Sequence, residues 1–431
     1  MLTLLITLDC ARADHILGGQ ADTPNLDRFR EEAVVFTRAH SHTNITLPSH
    51  ITMFTGLLLP EHGADFNFCH PSSEHYFLAD KIRAMGMPAV GFVGIHFLDE
   101  LFARRLDQRD SYFRIPSSWL ASGILRKLGI KGYRRGARRT LHAAAKWLHE
   151  QPRRSGFCWV HLFDTHMDYQ AEEPWRCHYG VTDAPSERPL DEILREKGLH
   201  SVHPVAGQRL PLDYYPKLYK AAISQTDAHL GRFFRWMRAE GLWDSAMVIV
   251  TADHGENLLE HGAYCSHPLI FDETISVPLM VKFPGGDHGG EEIGEPVGHQ
   301  DILPTVLARY NVSASAGKGV DLASFAGNAR PVPPRDMLAF HGKMLQGAVR
   351  RGEVAWIENL DHARLDPSLK DLYQDTGLFG KNSQRIEDPQ LAADLHHVLH
   401  DFLKGLPSVA SPDVPEDEGI RSELRALGYM E

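Results

Sequence analysis

Five short apolar runs punctuate the N-terminal part of the chain: Leu2–Leu8, Ala89–Val93, Phe157–Phe163, Ala246–Val250 and Val277–Phe283. Each is apolar nearly throughout rather than alternating, and each ends near a polar residue or a glycine. That is the pattern of a strand buried on both faces. Helical periodicity fills the intervals. Pro24–Ala33 opens with Thr23 as N-cap and Pro24 at the first helical position. Ser73–Met85 and Tyr133–Gln151 follow, the second basic on its outer face. Leu212–Glu240 sets Leu218, Ala222, Ile223, Leu230 and Phe233 along one side of a long helix. The alternation predicts an α/β fold, a large mostly parallel sheet sandwiched by helices. Functional residues in such sheets sit at the carboxyl ends of strands, where Asp9, Asp164 and Asp253 fall.

From about residue 336 the pattern changes. Ala348–Ile357 reads as a hairpin turning at Arg351-Gly352, and Pro389–Leu403 as an amphipathic helix. The expected division is a catalytic domain over 1–335 and a smaller C-terminal α+β subdomain with its tail over 336–431. Pro407–Gly419, acidic and proline-rich, reads as a mobile linker before a short terminal helix. Ser111–Arg139 and Gln170–Pro211 are irregular and read as insertions that shape the mouth of a site.

Charge narrows the partners. A formal net charge of -11 argues against nucleic acid or an anionic membrane, both of which call for basic surface. A small anionic substrate answers to local field and stays open. Five cysteines without zinc-type spacing read as free thiols in a reducing cytoplasm. Met1–Leu8 lacks the basic start and small-residue cleavage site of a signal peptide and runs straight into Asp9, so it reads as the first strand of a cytoplasmic protein.

The chemistry gathers at strand ends. Val248–Glu256 is a β-branched run that stops at Asp253-His254 and Gly255, and Leu4–Asp9 has the same design. Alone, Asp9 is as easily a loop cap and His254 a packed core histidine. Together, two such strand ends can converge on one cation. One imidazole with carboxylates suits manganese, zinc or magnesium, and calcium less well. Between them lies Thr46-Leu-Pro-Ser-His50, a hydroxyl in a tight turn before an apolar helix, with Ser49 reading as an N-cap. A threonine alkoxide is unfavourable at neutral pH unless a cation stabilises it. His96, His166 and His267 lie near the ends of apolar runs, and His50 sits one turn past Thr46. A transferring phosphoryl or sulfuryl group needs donors to its equatorial oxygens and an acid for the leaving oxygen. His15, His40, His42 and His299 are assigned to structure.

The motifs, taken in order, point to a family. Asp9-Cys-Ala-Arg-Ala-Asp-His15, Thr23-Pro-Asn-Leu-Asp-Arg28, Thr46-Leu-Pro-Ser-His50, Thr251-Ala-Asp-His-Gly-Glu256, Glu260-His-Gly262 and Asp301-Ile-Leu-Pro-Thr305 together resemble the sulfatase family of the alkaline phosphatase superfamily, across nearly the whole chain. The resemblance implies an α/β sandwich with a smaller C-terminal subdomain. It implies a metal on Asp9, Asp253 and His254, a nucleophile at position 46, and substrate contacts from His96, His166 and His267.

The departures carry as much as the match. Sulfatases of this family place Cys or Ser at position 46 and oxidise it to formylglycine. Thr46 cannot become that aldehyde, because its β-carbon bears a methyl group. His50 stands where the family has Arg, Cys10 replaces the second Asp of the usual pair, and Gly94 replaces a lysine. A sulfothreonine has no collapse route to an aldehyde, whereas water turns over a phosphothreonine more readily. The expected activity is therefore metal-dependent cleavage of a small phosphate ester (diester, monoester or phosphonate ester). One divalent cation would be held by Asp9, Thr46, Asp253 and His254. His166 and His267 would be catalytic, and His50, His96 and Arg12 would hold substrate or loop. A sulfatase working without formylglycine, a phospho-group transferase and a silent anion-binding homologue remain as rivals.

Overall fold

The computed structural model describes residues 1–406 except 68, 70–74, 76, 96–97, 99–133, 152–154, 204, 314–316, 328–333, 362–369, 375 and 381–382. The expected linker at Pro407–Gly419, most of the Ser111–Arg139 insertion and His96 lie outside the described residues.

The strands in chain order are β1 (Leu2–Leu8), β2 (Val34–Phe36), β3 (Ala39–His40), β4 (Ala89–Phe92), β5 (Gly156–Leu162), β6 (Met247–Ala252), β7 (Leu279–Lys282), β8 (Glu292–Ile293) and β9 (Val297–Gly298). Seven of them form one sheet in the order β4-β5-β1-β6-β7-β2-β8. β4, β5, β1 and β6 run parallel, and β7 is antiparallel to both its neighbours. Every residue of β1, β5 and β6 is buried, which explains why these strands read as unbroken apolar runs. The five expected strands are all present. β2 and β8 are too short to leave a periodic signal, and the reversed direction of β7 has no counterpart in its side-chain pattern.

Helices cover the sheet. The long helix Tyr214–Ala239 packs on Pro24–Arg30 and on Ala137–Glu150. Asp227 of the long helix accepts from the backbone N–H groups of Asn25 (3.1 Å) and Leu26 (2.7 Å), capping the shorter helix in place of Thr23. Asp164, at a strand end, does the same for the 137–150 helix, where its Oδ2 accepts from Ala137 N at 2.7 Å. Among the described residues no helix is long and apolar enough to cross a membrane.

A second, antiparallel sheet forms the C-terminal subdomain, in the order β10 (Met337–Phe340), β11 (Gln346–Arg351), β12 (Val354–Asn359), β13 (Gly377–Phe379). β11 and β12 are the expected hairpin, and Gly352 takes φ 65° in its turn. One face, with Ala348, Ala355 and Ile357, packs on Leu269–Phe271 and Ile275 of the main body. The other face, with Phe340, Val349 and Leu378, is covered by Leu395 and Leu399 of the terminal helix Pro389–Lys404.

Asp301 ties this region together from a fully buried position. It accepts from Gly298 N and Val320 N, both at 2.9 Å, and pairs bidentately with Arg335 at 3.0 Å. Removing one partner of a buried pair leaves the other charge uncompensated. Asp301→Ala should therefore lower unfolding free energy by about 3–5 kcal/mol in urea titrations. A loss under about 1 kcal/mol would show that the pair is solvent-relaxed.

Candidate active site

Asp9 follows the last residue of β1 and Asp253 the last of β6. Leu8 and Ala252 are paired in the parallel register, so the two acids emerge side by side. The chain then turns sharply. Cys10 adopts φ 57°, which aims its N–H at Asp253 Oδ1 (3.1 Å), while Tyr219 donates its hydroxyl to Cys10 O (2.6 Å). Asp9 is fully buried: Cys10 donates its thiol to Oδ1 at 3.2 Å, and His161 Nε2 lies 3.1 Å from Oδ2. Burial lifts the Asp9 carboxyl to about 6 against the opposing pull of His254. The Cys10 thiol is pushed well above its usual range, first by burial and then by Glu256 and Asp9, and so stays protonated.

Gly255 explains its own presence. A Cβ there would lie 2.1 Å from Glu273 O, because the loop is drawn onto 273–274 by bonds from Gly255 N to Thr274 O (2.7 Å) and Glu256 N to Glu273 O (2.9 Å).

Thr46 is the first residue of the helix Thr46–Thr55, with Ile45 as N-cap. Ser49 is therefore not the cap its sequence setting implies. It sits inside the helix, donates to Asp253 O at 2.7 Å and pairs with His299 Nδ1 at 3.0 Å. The apolar run continues N-terminally past Ser49, and the buried partners of its hydroxyl remove the reason for it to cap. Thr46 Oγ1 lies 3.4 Å from His254 Nε2, at the positive end of the helix dipole. His50 Nδ1 lies 2.7 Å from Thr46 O, which can only accept, so Nδ1 carries the proton. His50 Nε2 then accepts from Thr7 Oγ1 at 3.1 Å. Burial lowers the His50 pKa to about 3, so it is a neutral brace for the helix start.

The donor set fits a cation. His254 Nδ1 lies 2.9 Å from Gly255 O and must donate, which leaves the lone pair on Nε2. That lone pair is 3.6 Å from Asp253 Oδ2, a buried oxygen with no hydrogen-bond partner among the described residues. Ligand atoms of Asp9, Asp253 and His254 all lie within 4.8 Å of one another. Acceptors converging in a buried space are repulsive unless positive charge lies between them.

Two of the expected histidines flank this cluster. His166 groups with Asp9 and Cys10, and His267 with Cys10 and His254. His166 Nδ1 lies 2.6 Å from Met167 O and so carries the proton. His267 Nδ1 is 3.1 Å from Glu256 Oε1, and Tyr169 donates to Glu256 Oε2 at 3.1 Å. Burial pushes Glu256 up to about 8 and His267 down to about 4, so the pair holds one proton between them at neutral pH. Arg12 binds Asp14 through two nitrogens and also donates to Glu256 O (3.0 Å) and Glu260 Oε1 (2.8 Å). These bonds engage four of its five donors in holding the loop after β1 against 256–260.

Sequence reasoning passed over His161, Glu256 and Tyr169. His161 did leave a signal, as the one imidazole inside an otherwise apolar strand. Glu256 stood directly after the Asp-His-Gly turn. Tyr169 left none, since its role depends on a loop closing over the site.

The chain is similar to known proteins in both sequence and fold. A family model described as Sulfatase matches residues 104–312, and one described as Type I phosphodiesterase / nucleotide pyrophosphatase matches residues 3–83. The chain is similar to the Ulvan-active sulfatase of Formosa agariphila, 25% identical over 88% of this chain and 76% of that protein. It is also similar to the Multifunctional alkaline phosphatase superfamily protein PehA of Trinickia caryophylli, at 24% over 70% and 72% of the two chains. The crystal structure of the phosphonate monoester hydrolase of Agrobacterium radiobacter shares the fold, with TM-score 0.66, 20% identity, and 93% and 94% of the chains covered.

His161 orients the Asp9 carboxylate, so its removal should weaken cation binding without unfolding the chain. His161→Ala should bind manganese or zinc about 10–100-fold more weakly by titration calorimetry. His161→Gln, which can still donate to Asp9, should lose less. Unchanged affinity in His161→Ala would show that Asp9 needs no such support.

Proposed function

Since this chain belongs to the sulfatase family of the alkaline phosphatase superfamily, we propose that it is a metal-dependent hydrolase that uses Thr46 to cleave a small phosphate ester. The observation that carries this reading is the Thr46 hydroxyl, 3.4 Å from His254 Nε2 at a helix start, beside buried acceptors that fit a cation. Asp9, Asp253 and His254 would hold that cation, with Thr46 beside it. When bound, it supplies positive charge to the Thr46 oxygen and to a non-bridging oxygen of the ester.

Thr46 Oγ1 attacks phosphorus in line and gives its proton to solvent as the new O–P bond forms. The bond to the leaving oxygen breaks, and that oxygen takes a proton from His267, resupplied by Glu256; His166, whose one proton is held on Nδ1 toward Met167 O, offers an acceptor instead. Water then attacks the phosphothreonine, breaks the O–P bond and restores the hydroxyl. His50 braces the helix start through Thr46 O, and Arg12 braces the loop after Asp9.

Two observations favour phosphorus over sulfur. Threonine cannot be oxidised to formylglycine, so a sulfated residue has no collapse route. The phosphodiesterase model spans 3–83, the stretch that holds both Asp9 and Thr46. A cavity of about 760 Å³ beside the site is lined by Arg134, Arg138, Arg139 and Arg176 together with Asp164, Asp168 and Glu172, a mixed-charge surface that would take a polar remainder of the ester. Tyr169 also lines it and holds Glu256 from there. Sulfate ester cleavage is the second reading, favoured by the likeness to the Ulvan-active sulfatase.

Thr46→Ala should lose at least about 10³-fold in kcat, while Thr46→Ser keeps measurable turnover. Intact-mass spectrometry of wild type after substrate addition should show a phosphoryl adduct on Thr46, or show it in a variant slowed in its second step. An active Thr46→Ala protein without adduct would assign attack to water.

A panel of aryl phosphates, phosphodiesters, phosphonates and sulfates separates the two readings. Phosphorus esters should be turned over repeatedly and sulfates once or slowly. Chelation should abolish turnover, and manganese or zinc should restore it better than calcium. Sulfate turnover with kcat/KM equal to that of the matching phosphoesters would overturn the preference for phosphorus. Full activity in chelator would overturn the metal.

A further inference from the structure

The C-terminal subdomain gathers a second set of metal-binding side chains, outside the active site. β12 exposes alternate residues to its two faces. Ala355 and Ile357 pack against the main body, while Val354, Trp356 and Glu358 face the terminal helix. On that helix Leu395 and Leu399 are fully buried against the sheet, which sets His396 and His400 one turn apart along the rim. Glu358 lies between them. His396 Nδ1 is 2.6 Å from its Oε2 and His400 Nε2 is 2.5 Å from its Oε1, with the two rings 4.2 Å apart. Trp356 Nε1 donates to Oε2 at 2.8 Å and fixes the carboxylate.

We propose that Glu358, His396 and His400 form a zinc-class divalent cation site that clamps the terminal helix onto the C-terminal sheet. Their ligand atoms all lie within 4.8 Å of one another. Ligands at about 2.0–2.1 Å on a tetrahedral zinc stand roughly 3.3 Å apart, so each contact needs to open by less than about 1 Å. The imidazoles are 38–44% exposed and the carboxylate 14%, so the histidines can rotate while the acid stays anchored. Each ligating nitrogen gives up the proton it now donates to Glu358. A neutral ring does so by taking its other tautomer, a protonated ring by releasing a proton to water. Two imidazoles and one carboxylate select zinc, nickel or copper over magnesium and calcium, and solvent fills the remaining positions. Trp356 acts as the outer support of the carboxylate ligand. The bland alternative, a carboxylate bridging two imidazoles with no metal, uses the same contacts, and zinc binding distinguishes the two.

The test uses the full chain, stripped with chelator and titrated with zinc alone against a chromophoric chelator. An Asp9→Asn/Asp253→Asn/His254→Ala background breaks every metal-capable group at the active site, so failure there and failure here are read separately. In that background zinc should still bind at one equivalent and raise Tm. His396→Ala/His400→Ala should abolish that equivalent, Glu358→Gln should weaken it more than tenfold, and Trp356→Phe should weaken it about tenfold. In the wild-type background the double histidine variant should bind one equivalent fewer and still hydrolyse ester. Histidine-to-alanine changes on a helix rim favour the helix, so loss of folding is not expected to obscure the result. Equal stoichiometry in the presence and absence of His396 and His400 would overturn the site. Equal affinity with Gln at 358 would reduce it to a weak histidine pair and overturn it as stated.

Discussion

Two carboxylates buried at adjacent strand ends are the constraint on which the rest of the structure depends. Asp9 and Asp253 are both fully buried, and the paired Leu8 and Ala252 beneath them hold them in register. A one-residue slip between β1 and β6 would turn one acid away from the other. Charges in such a place are tolerable only with hydrogen bonds and an opposite charge nearby. The loops above the sheet are built around that need. The left-handed turn at Cys10 sends an N–H to Asp253, and the tight turn at Gly255 lets His254 face back across the cluster.

The C-terminal subdomain takes part in this. Arg350 of β11 pairs with Asp272, which begins the short segment whose carbonyls at 273 and 274 receive Gly255 N and Glu256 N. Asn44 bridges His267 O, at 2.5 Å, and Gly342 N, at 3.2 Å. The second sheet therefore buttresses the loops that carry His254 and His267. A cation clamping the terminal helix to that sheet would stiffen the far side of the same buttress.

Position 10 holds the site through its backbone more than through its side chain. Its backbone N–H and carbonyl do the holding, toward Asp253 and Tyr219, and its side chain donates only a thiol to Asp9. Position 46 changes more deeply, because a methyl on the β-carbon closes one chemical route while the hydroxyl stays beside His254. The fold is shared with the phosphonate monoester hydrolase of Agrobacterium radiobacter.

Sequence alone determined the strand ends. Apolar runs that stop at Asp9 and at Asp253-His254 are local patterns, and burial on both faces of a parallel sheet leaves them unbroken. The hairpin at Arg351-Gly352 and the terminal helix were equally local. Tertiary structure decided what has no local signature. Direction of β7 depends on its neighbours, and the helix beginning at Thr46 instead of after Ser49 depends on buried partners for the Ser49 hydroxyl. His161 meeting Asp9, Glu256 meeting His267, and Glu358 meeting two histidines on a distant helix all join residues far apart in the chain. Such contacts arise from packing, where the position of one element is set by the shapes of others, and no periodicity along a single segment records them.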